Sequence, residues 1–266
     1  KIWEKLMKAK FGPYVNQINM AWFWSRVAKR TTSLGYFDGG FLRLLELMSK
    51  YVQTRGAEVR LGKTVKRIEK RGKAWMVDGE KFDGVIVTTP VPITKKIVPN
   101  SGVRWPVIDY LWGQSLILEL RNTVIDGYWM NILEKNWPFL VAVEHTNLVD
   151  KKNYGGGVVM YLGNYLSDGD KRLEMREDEL LELYLPYLKK INAGFERTWI
   201  KSMWMFKSPY AQPVFPVNYS GKVPGLKTKQ EGLYVANMSM VYPYDRGTNY
   251  AVKMGNEVAD LVLREL

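Results

Sequence analysis

The sequence predicts a mixed α/β fold in two parts, one built on parallel strands and one on an antiparallel sheet. Three observations carry that expectation. Val85-Ile86-Val87 is a short continuous apolar run ended by Thr88-Thr89-Pro90, the form of a strand buried on both faces of a parallel sheet. Gly232-Leu233-Tyr234-Val235-Ala236-Asn237 reads as a strand that leads through a loop to Gly247-Thr248-Asn249 and a helix. Between them, residues 115–120, 128–133, 139–143 and 158–161 are short apolar segments suited to an antiparallel sheet.

Length and composition set the bounds. With 266 residues, 46% hydrophobic and 25% charged, the chain has globular composition and room for one large or two modest domains. The absence of Cys excludes disulfides and thiolate metal sites, and the single His145 excludes a multi-histidine metal centre. No apolar run approaches the ~20 residues of a membrane span, and no secretory signal is visible. The expected location is cytoplasmic, with membrane association as the alternative. The chain begins at Lys1 without Met, which reads as a fragment or a trimmed chain. A net charge of +12 invites a polyanion or an anionic membrane face. The basic residues are dispersed, however, and no zinc-finger or RNP-type motif accompanies them, so nucleic acid is not an expected partner. The densest cluster, Lys63, Lys66, Arg67, Lys70, Arg71 and Lys73, falls on a predicted hairpin where alternate residues face water.

Along the chain, residues 1–34 read as helical, with Trp3, Trp22, Phe23 and Trp24 beside Arg26, Lys29 and Arg30. Core packing with basic residues snorkelling outward is the first reading, and peripheral membrane contact the second. Asp38-Gly39-Gly40 makes a turn. Phe41, Leu44, Leu45, Met48, Tyr51 and Val52 then recur at helical spacing, with Gly56 at the C-cap. Short strands are expected over 58–61 and through Val65 and Ile68. The chain turns at Gly72, returns over 74–77, and turns again at Asp78-Gly79. Glu177, Asp178 and Glu179 suit the N-terminus of a helix over 171–190. Residues 197–220, aromatic and interrupted by Pro209, Pro213 and Pro216, read as strand and loop. In the last helix Ala251, Gly255, Val258, Ala259, Val262 and Leu266 share a face, and Thr248 or Asn249 can cap it.

A strand, a loop with Gly247 and a helix N-terminus favour negative charge, through free N–H groups and the helix dipole. An ordinary capped C-terminal helix carries the same pattern. Two stretches together resemble a known superfamily, that of the flavin amine oxidases, protoporphyrinogen oxidases and phytoene desaturases. Gly232-Leu233-Tyr234-Val235-Ala236, with Gly247-Thr248-Asn249-Tyr250-Ala251-Val252-Lys253-Met254-Gly255, is similar to its closing FAD-binding motif. Gly39-Gly40, Gly56, Val65, Ile68, Asp83 and the Val85 to Pro90 run are similar to its middle nucleotide-binding section. The resemblance implies FAD and a partial Rossmann-like FAD-binding domain over 35–100 and 226–266. It also implies a substrate domain of antiparallel sheet and helices over 101–225, with helices 1–34 attached. By the same resemblance, Val65 lies near the adenine. Thr89 and Pro90 end a strand beside the cofactor, and Asn237, Met238, Asp245, Arg246, Gly247, Thr248, Asn249 and Ala251 surround it. The implied reaction is hydride transfer between a small-molecule C–H or C–N substrate and the flavin. Within the superfamily, 128–132, 144–147, 161–165 and 236–247 resemble flavoproteins of polysaccharide-synthesis settings, and what that resemblance implies is a substrate of glycan or isoprenoid metabolism.

Departures from the pattern shape the remaining expectations. The superfamily opens with a G-x-G-x-x-G loop and a ribose-binding acid, and neither is present. Gly155-Gly156-Gly157 lies in a predicted sheet connection and does not replace the loop. The absent N-terminal segment of the same protein is accordingly an expected partner. Asn237-Met238 stands where the superfamily usually has Gly-Asp, and Asp245 is a displaced candidate for that carboxylate. Amine oxidases place a Lys near the flavin on the strand matching 114–118. None is found there, which disfavours oxygen-driven amine oxidation. His145 is the one weak catalytic candidate, as a proton shuttle. Trp204, Phe206, Tyr210 and Tyr219 could wall a substrate cavity or pack a core. Two rival readings stand beside the enzyme: a non-catalytic truncated flavoprotein, and a basic protein held at membrane or polyanion surfaces.

Overall fold

The computed structural model describes residues 2–29 and 33–265. Lys1, Arg30 and Leu266, named above, lie outside them. The chain forms two compact units, Lys1–Gln17 with Asp109–Val214 and Ile18–Ile108 with Phe215–Leu266. The changeovers fall after residues 17, 108 and 214, where the sequence reading placed them after 34, 100 and 225.

Helix α1 (Ile2–Phe11) opens the first unit, with Lys10 Nζ 5.4 Å from the Phe11 ring and 4.8 Å from the Tyr165 ring. The second unit starts at α2 (Met20–Ala28), where Asn19 Oδ1 accepts the Ala21 N–H at 2.8 Å as an N-cap. Trp22 and Ser25 are its buried residues, and Ser25 Oγ donates to Pro243 O at 2.6 Å. Helix α3 (Gly40–Gln53) begins after a left-handed Gly39. It ends in paired bonds from Gly56 N to Gln53 O and from Ala57 N to Val52 O, with Gly56 at φ +87°. That is a Schellman cap on the glycine the sequence marked.

The expected strand over 58–61 does not form. The segment instead lies along the surface, where Arg60 and Lys63 pair with Glu80 at 2.5–2.7 Å. These cations hold the Glu80 carboxyl down at about 2, Arg60 first and Lys63 second. Strands β1 (Ile68–Arg71), β2 (Ala74–Val77) and β3 (Glu80–Phe82) make an antiparallel meander. Gly72 turns the first hairpin; Asp78 and Gly79, both with positive φ, turn the second. Four cations of the basic cluster are partnered, Arg67 and Arg71 by Glu69, Lys63 by Glu80 and Lys70 by Glu231 O.

Strand β4 (Val85–Val87) leads into α4 (Val91–Ile97), a helix the sequence reading did not anticipate. The first unit's sheet follows, from β5 (Asp109–Leu120), β6 (Trp129–Asn131), β7 (Val141–Glu144), β8 (Val158–Leu166) and β9 (Ile200–Val214). Its order is β6-β7-β8-β5-β9, antiparallel throughout. Alternate residues Leu116, Leu118, Leu120, Met160 and Leu162 point inward against Leu180, Leu181, Tyr184 and Leu188 of α5 (Glu177–Ile191). The acidic start of α5 is as expected, and Glu179 accepts the Arg176 N–H at 2.8 Å.

The chain then returns to the second unit. Strand β10 (Leu233–Val235) pairs in parallel with β4, Leu233 opposite Val85 and Val235 opposite Val87. Val87, Val235, Ile68, Trp75 and Met240 form its core. Ile86 corrects one expectation, since it is 40% exposed rather than buried. The face of β4 that carries Ile86 is incompletely covered, although Tyr234 beside it on β10 is buried under α6. Helix α6 (Thr248–Glu265) packs Val258 and Met254 on Tyr234 and Ala236. Its inner face is rotated from the expected one. Leu261 and Val262 turn inward with Val258, while Ala251, Gly255 and Ala259 are exposed. The larger side chains bury more apolar area, so they win the core side.

Candidate functional site

The site builds from the two parallel strands. Because β4 and β10 run in register and Ala236 N donates to Val87 O at 3.0 Å, their carboxyl ends lie side by side. In open α/β sheets that is the end where ligands bind. From β4 come Thr88, Thr89 and Pro90. The Thr89 hydroxyl is 2.8 Å from the Thr94 hydroxyl, which also donates to Thr89 O at 3.0 Å. Thr89 and Pro90 are thereby fixed to the first turn of α4, with Pro90 at its N-cap. Val65 packs, partly buried, on the core beneath β4.

From β10 comes Asn237. Its Oδ1 accepts the Ser239 N–H at 3.1 Å and the Ser239 hydroxyl at 2.6 Å, capping the short turn Met238–Met240. That geometry commits the oxygen and aims the amide nitrogen elsewhere. Asn237 is buried, and its Nδ2 has no hydrogen-bond partner among the described residues. A buried unmatched donor costs about 1–3 kcal/mol, so it marks a place for an acceptor. Tyr219, read as a cavity wall or as core packing, is fully buried beneath this turn and donates to Ser239 O at 3.0 Å. Burial pushes its phenol up to about 12, so it serves as a support and not as a wall.

The loop back to α6 is braced. Arg26 of α2 donates to Asp245 Oδ2. Asp245 Oδ1 is buried without a hydrogen-bond donor, and the Arg246 guanidinium is 3.9 Å away. Nothing in the sequence connects Arg26 to Asp245; only the fold brings them together. Tyr244 and Tyr250 stack at 5.0 Å, 8° from parallel. Gly247 keeps an ordinary φ. A β-carbon there would lie 2.8 Å from Asn249 Oδ1, the end of a flexible side chain that can move aside. Gly247 O accepts the Ala251 N–H at 3.0 Å as the first helical bond. The amides of Thr248, Asn249 and Tyr250 therefore precede any intrahelical acceptor, and Ala251 is exposed beside them.

His145 belongs to the other unit, at the end of β7. Its Nε2 is 2.7 Å from the Tyr154 hydroxyl, and its ring meets Tyr154 and Tyr161 edge to face. Burial pushes the imidazole below its ordinary value. The preceding Glu144 is fully buried. Its Oε2 accepts the N–H groups of Val124 and Ile125 at 2.8 and 3.0 Å, a loop clamp the sequence reading missed. On the outer face of this sheet, Trp129, Val143, Tyr161, Ile117 and Trp204 stand in one row across the five strands, with Phe206 in the next row. Trp204 and Phe206 are half exposed, as a wall would be, while Tyr210 meets Tyr110 edge to face. Opposite Gln114 stands Lys207, whose Nζ donates to Leu173 O and Met175 O at 2.7 and 2.6 Å. The lysine beside the strand over 114–118 is thus committed to two carbonyls.

Residues 13–263 match the family model of flavin containing amine oxidoreductases. No curated protein matches the sequence significantly. Among solved structures, a protoporphyrinogen oxidase candidate from Exiguobacterium sp. 255-15 is similar at 15% identity and TM-score 0.69, over 97% of this chain and 59% of that one. A reduced UDP-galactopyranose mutase is similar at 16% identity and TM-score 0.69, over 96% and 61%. Cyclohexylamine oxidase from Brevibacterium oxydans IH-35A is similar at 10% identity and TM-score 0.64, over 99% and 64%. At these identities the likeness concerns the fold. The chain spans about three-fifths of the length of the structures it matches.

Proposed function

Because the chain belongs to the flavin containing amine oxidoreductase family, we propose that it is the flavin-facing part of a FAD-dependent oxidoreductase. When bound, the FAD takes or returns the hydride of a C–H or C–N bond in a small-molecule substrate. The residues present fit the ring end of that cofactor. One observation carries the reading: at the carboxyl ends of β4 and β10, the buried Asn237 Nδ2 has no acceptor among the described residues. Asn237 would donate to a ring carbonyl or nitrogen. The Thr248, Asn249 and Tyr250 amides and the positive end of α6 would favour negative charge gained on reduction. Thr89 and Pro90 hold their strand end in place through Thr94. The diphosphate end has no Gly-rich cradle in this sequence, and none is assigned.

The substrate class we propose is a small molecule of glycan or isoprenoid metabolism. It rests on the resemblance of 128–132, 144–147, 161–165 and 236–247 to flavoproteins of polysaccharide-synthesis settings. The outer row of Trp129, Tyr161 and Trp204 offers flat apolar faces of the kind that rings stack on.

Titration of the chain with FAD, followed by flavin fluorescence and the visible bands, tests the cofactor reading. Quenching with structured, shifted bands is expected. Asn237→Leu should weaken binding about three- to tenfold, the value of one hydrogen bond, and His145→Gln should leave it unchanged. Free-flavin spectra up to millimolar FAD would rule the reading out.

A further inference from the structure

The net charge of +12 is not shared evenly between the two units. Residues 18–108 with 215–266 hold 23 Lys and Arg against 12 Asp and Glu, whereas residues 1–17 with 109–214 hold 16 against 15. Within the second unit the densest stretch is 63–81, the β1–β3 meander and its approach, with seven basic and three acidic residues.

The strands sort these charges by face. Ile68, Trp75 and Val77 turn toward the core of the unit, so by alternation the residues between them form the outer face. The register places Glu69, Met76 and Lys81 in one row across the three strands, with Arg71 opposite Ala74 beside it. Arg67 and Arg71 flank Glu69 and share its carboxylate, yet their side chains are 67% and 72% exposed. Lys81 is exposed, as is Lys73 at the first turn. Four cations on or beside this face thus answer to one carboxylate. At the rim, Arg60 and Lys63 both bond Glu80, the first residue of β3, which holds the 61–62 turn against that end of the sheet. Leu61 in this turn is 90% exposed.

We propose that the outer face of the meander docks on an anionic membrane surface, with Arg67, Arg71, Lys73 and Lys81 over acidic head groups and Leu61 entering the interface. The layout of the charges selects this partner. Arg67 and Arg71 stand about 13 Å apart along β1, and Lys81 about 10 Å to the side across two strand spacings. The cations therefore cover a plane. A leaflet of anionic lipids meets all of them at once, whereas a linear polymer follows one row. Single-stranded nucleic acid is also held by bases stacked on aromatic rings, and Arg67, Glu69, Arg71, Ala74, Met76 and Lys81 bring none to this face. Basic residues near such a leaflet each raise partitioning about fivefold, and an apolar side chain supplies a second anchoring signal.

Flotation of the purified chain with vesicles tests the proposal, because only vesicle-bound protein rises through a sucrose gradient. The chain should float with phosphatidylcholine vesicles carrying about 30% phosphatidylserine at about 0.1 M NaCl, and not with phosphatidylcholine alone. Arg71→Ser with Lys73→Ser and Lys81→Ser should weaken partitioning about 100-fold. Lys135→Ser with Lys151→Ser and Lys189→Ser lowers the net charge equally in the first unit and should stay within about threefold of the parent. Leu61→Ser leaves the charge unchanged and should weaken partitioning about three- to tenfold. All seven side chains are exposed, so the variants should keep the parent circular dichroism spectrum. The proposal is overturned if the parent does not float, if it floats equally on phosphatidylcholine, if the two triple variants behave alike, or if Leu61→Ser binds like the parent. Release by a soluble polyuronate at an anion concentration matching the lipid would also overturn it and make an acidic polymer the partner.

Discussion

At Gly232 the backbone takes φ +77°, and a β-carbon would lie 2.9 Å from Asp83 O and 3.0 Å from Trp75 Nε1. Both neighbours are fixed. Asp83 O belongs to backbone, and Trp75 is buried with its Nε1 donating to Glu231 O at 3.0 Å. Gly232→Ala must therefore strain the dihedral and displace the start of β10 together. A loss of about 2–4 kcal/mol is expected from a strained φ plus overpacking, read as a lower urea midpoint at unchanged slope. His145 gives a pH dependence instead. Burial lowers its proton affinity in the fold, so the unfolded chain binds the proton first as pH falls. At high pH both states are neutral and the group contributes nothing. Below the unfolded value of about 6.5, stability should decline until the folded imidazole also titrates, then level off. Denaturation between pH 8 and pH 5 should show this decline, and His145→Gln should remove that component of the slope.

Elements with their own local chemistry were legible in the sequence. The Gly56 cap and the Asp78-Gly79 turn need only neighbours a few residues away, and the strands of the antiparallel sheet show in their own alternation although their partners are distant. What failed depends on distant partners. The 58–61 segment has strand-like residues but no strand beside it, and its charges settle on Glu80 instead. Ile86 looked like core because Val85-Ile86-Val87 is uniformly apolar, yet among the described residues it is left 40% exposed. Helix α3 shows the same separation of pattern from packing. Its periodicity marks Leu45 as core, where a change to Lys would cost several kcal/mol; in the fold Leu45 is 60% exposed. Leu45→Lys should shift the stability of the chain alone by no more than about 0.5 kcal/mol. A loss above 2 kcal/mol in chemical denaturation would show that α3 is packed after all.

At the scale of the molecule, the site was legible as a list of positions and not as roles. Gly247 could be named because it opens a helix, whereas Asn237 and Thr89 were named through the resemblance to the flavin amine oxidase superfamily. Their geometry comes from three dimensions, with Thr94 fixing Thr89, Ser239 holding the Asn237 amide oxygen and Arg26 holding Asp245. The same scale governs how the chain behaves in solution. Two surface properties oppose each other. The net charge of +12 repels like chains over a range set by ionic strength. The exposed Phe41, Leu42, Leu45, Met48 and Tyr51 of α3, with Ile86, form apolar surface that attracts. Charge repulsion reaches about 30 Å at 0.01 M salt but only about 8 Å at 0.15 M, whereas apolar attraction is not screened. Non-specific association should therefore rise with salt, the reverse of the behaviour of a protein held together by ion pairs. Light scattering at fixed concentration is expected to climb between about 0.01 and 0.3 M NaCl. A hydrophobic dye should bind at all these salt concentrations. Placing Glu at Leu45 and Met48 lowers the net charge, which alone would promote association, but it breaks the apolar stripe. If the stripe is the attractive element, that double variant scatters less than the parent at 0.3 M NaCl despite its smaller charge. More scattering from the variant would assign the association to lost repulsion and leave α3 without an attractive role.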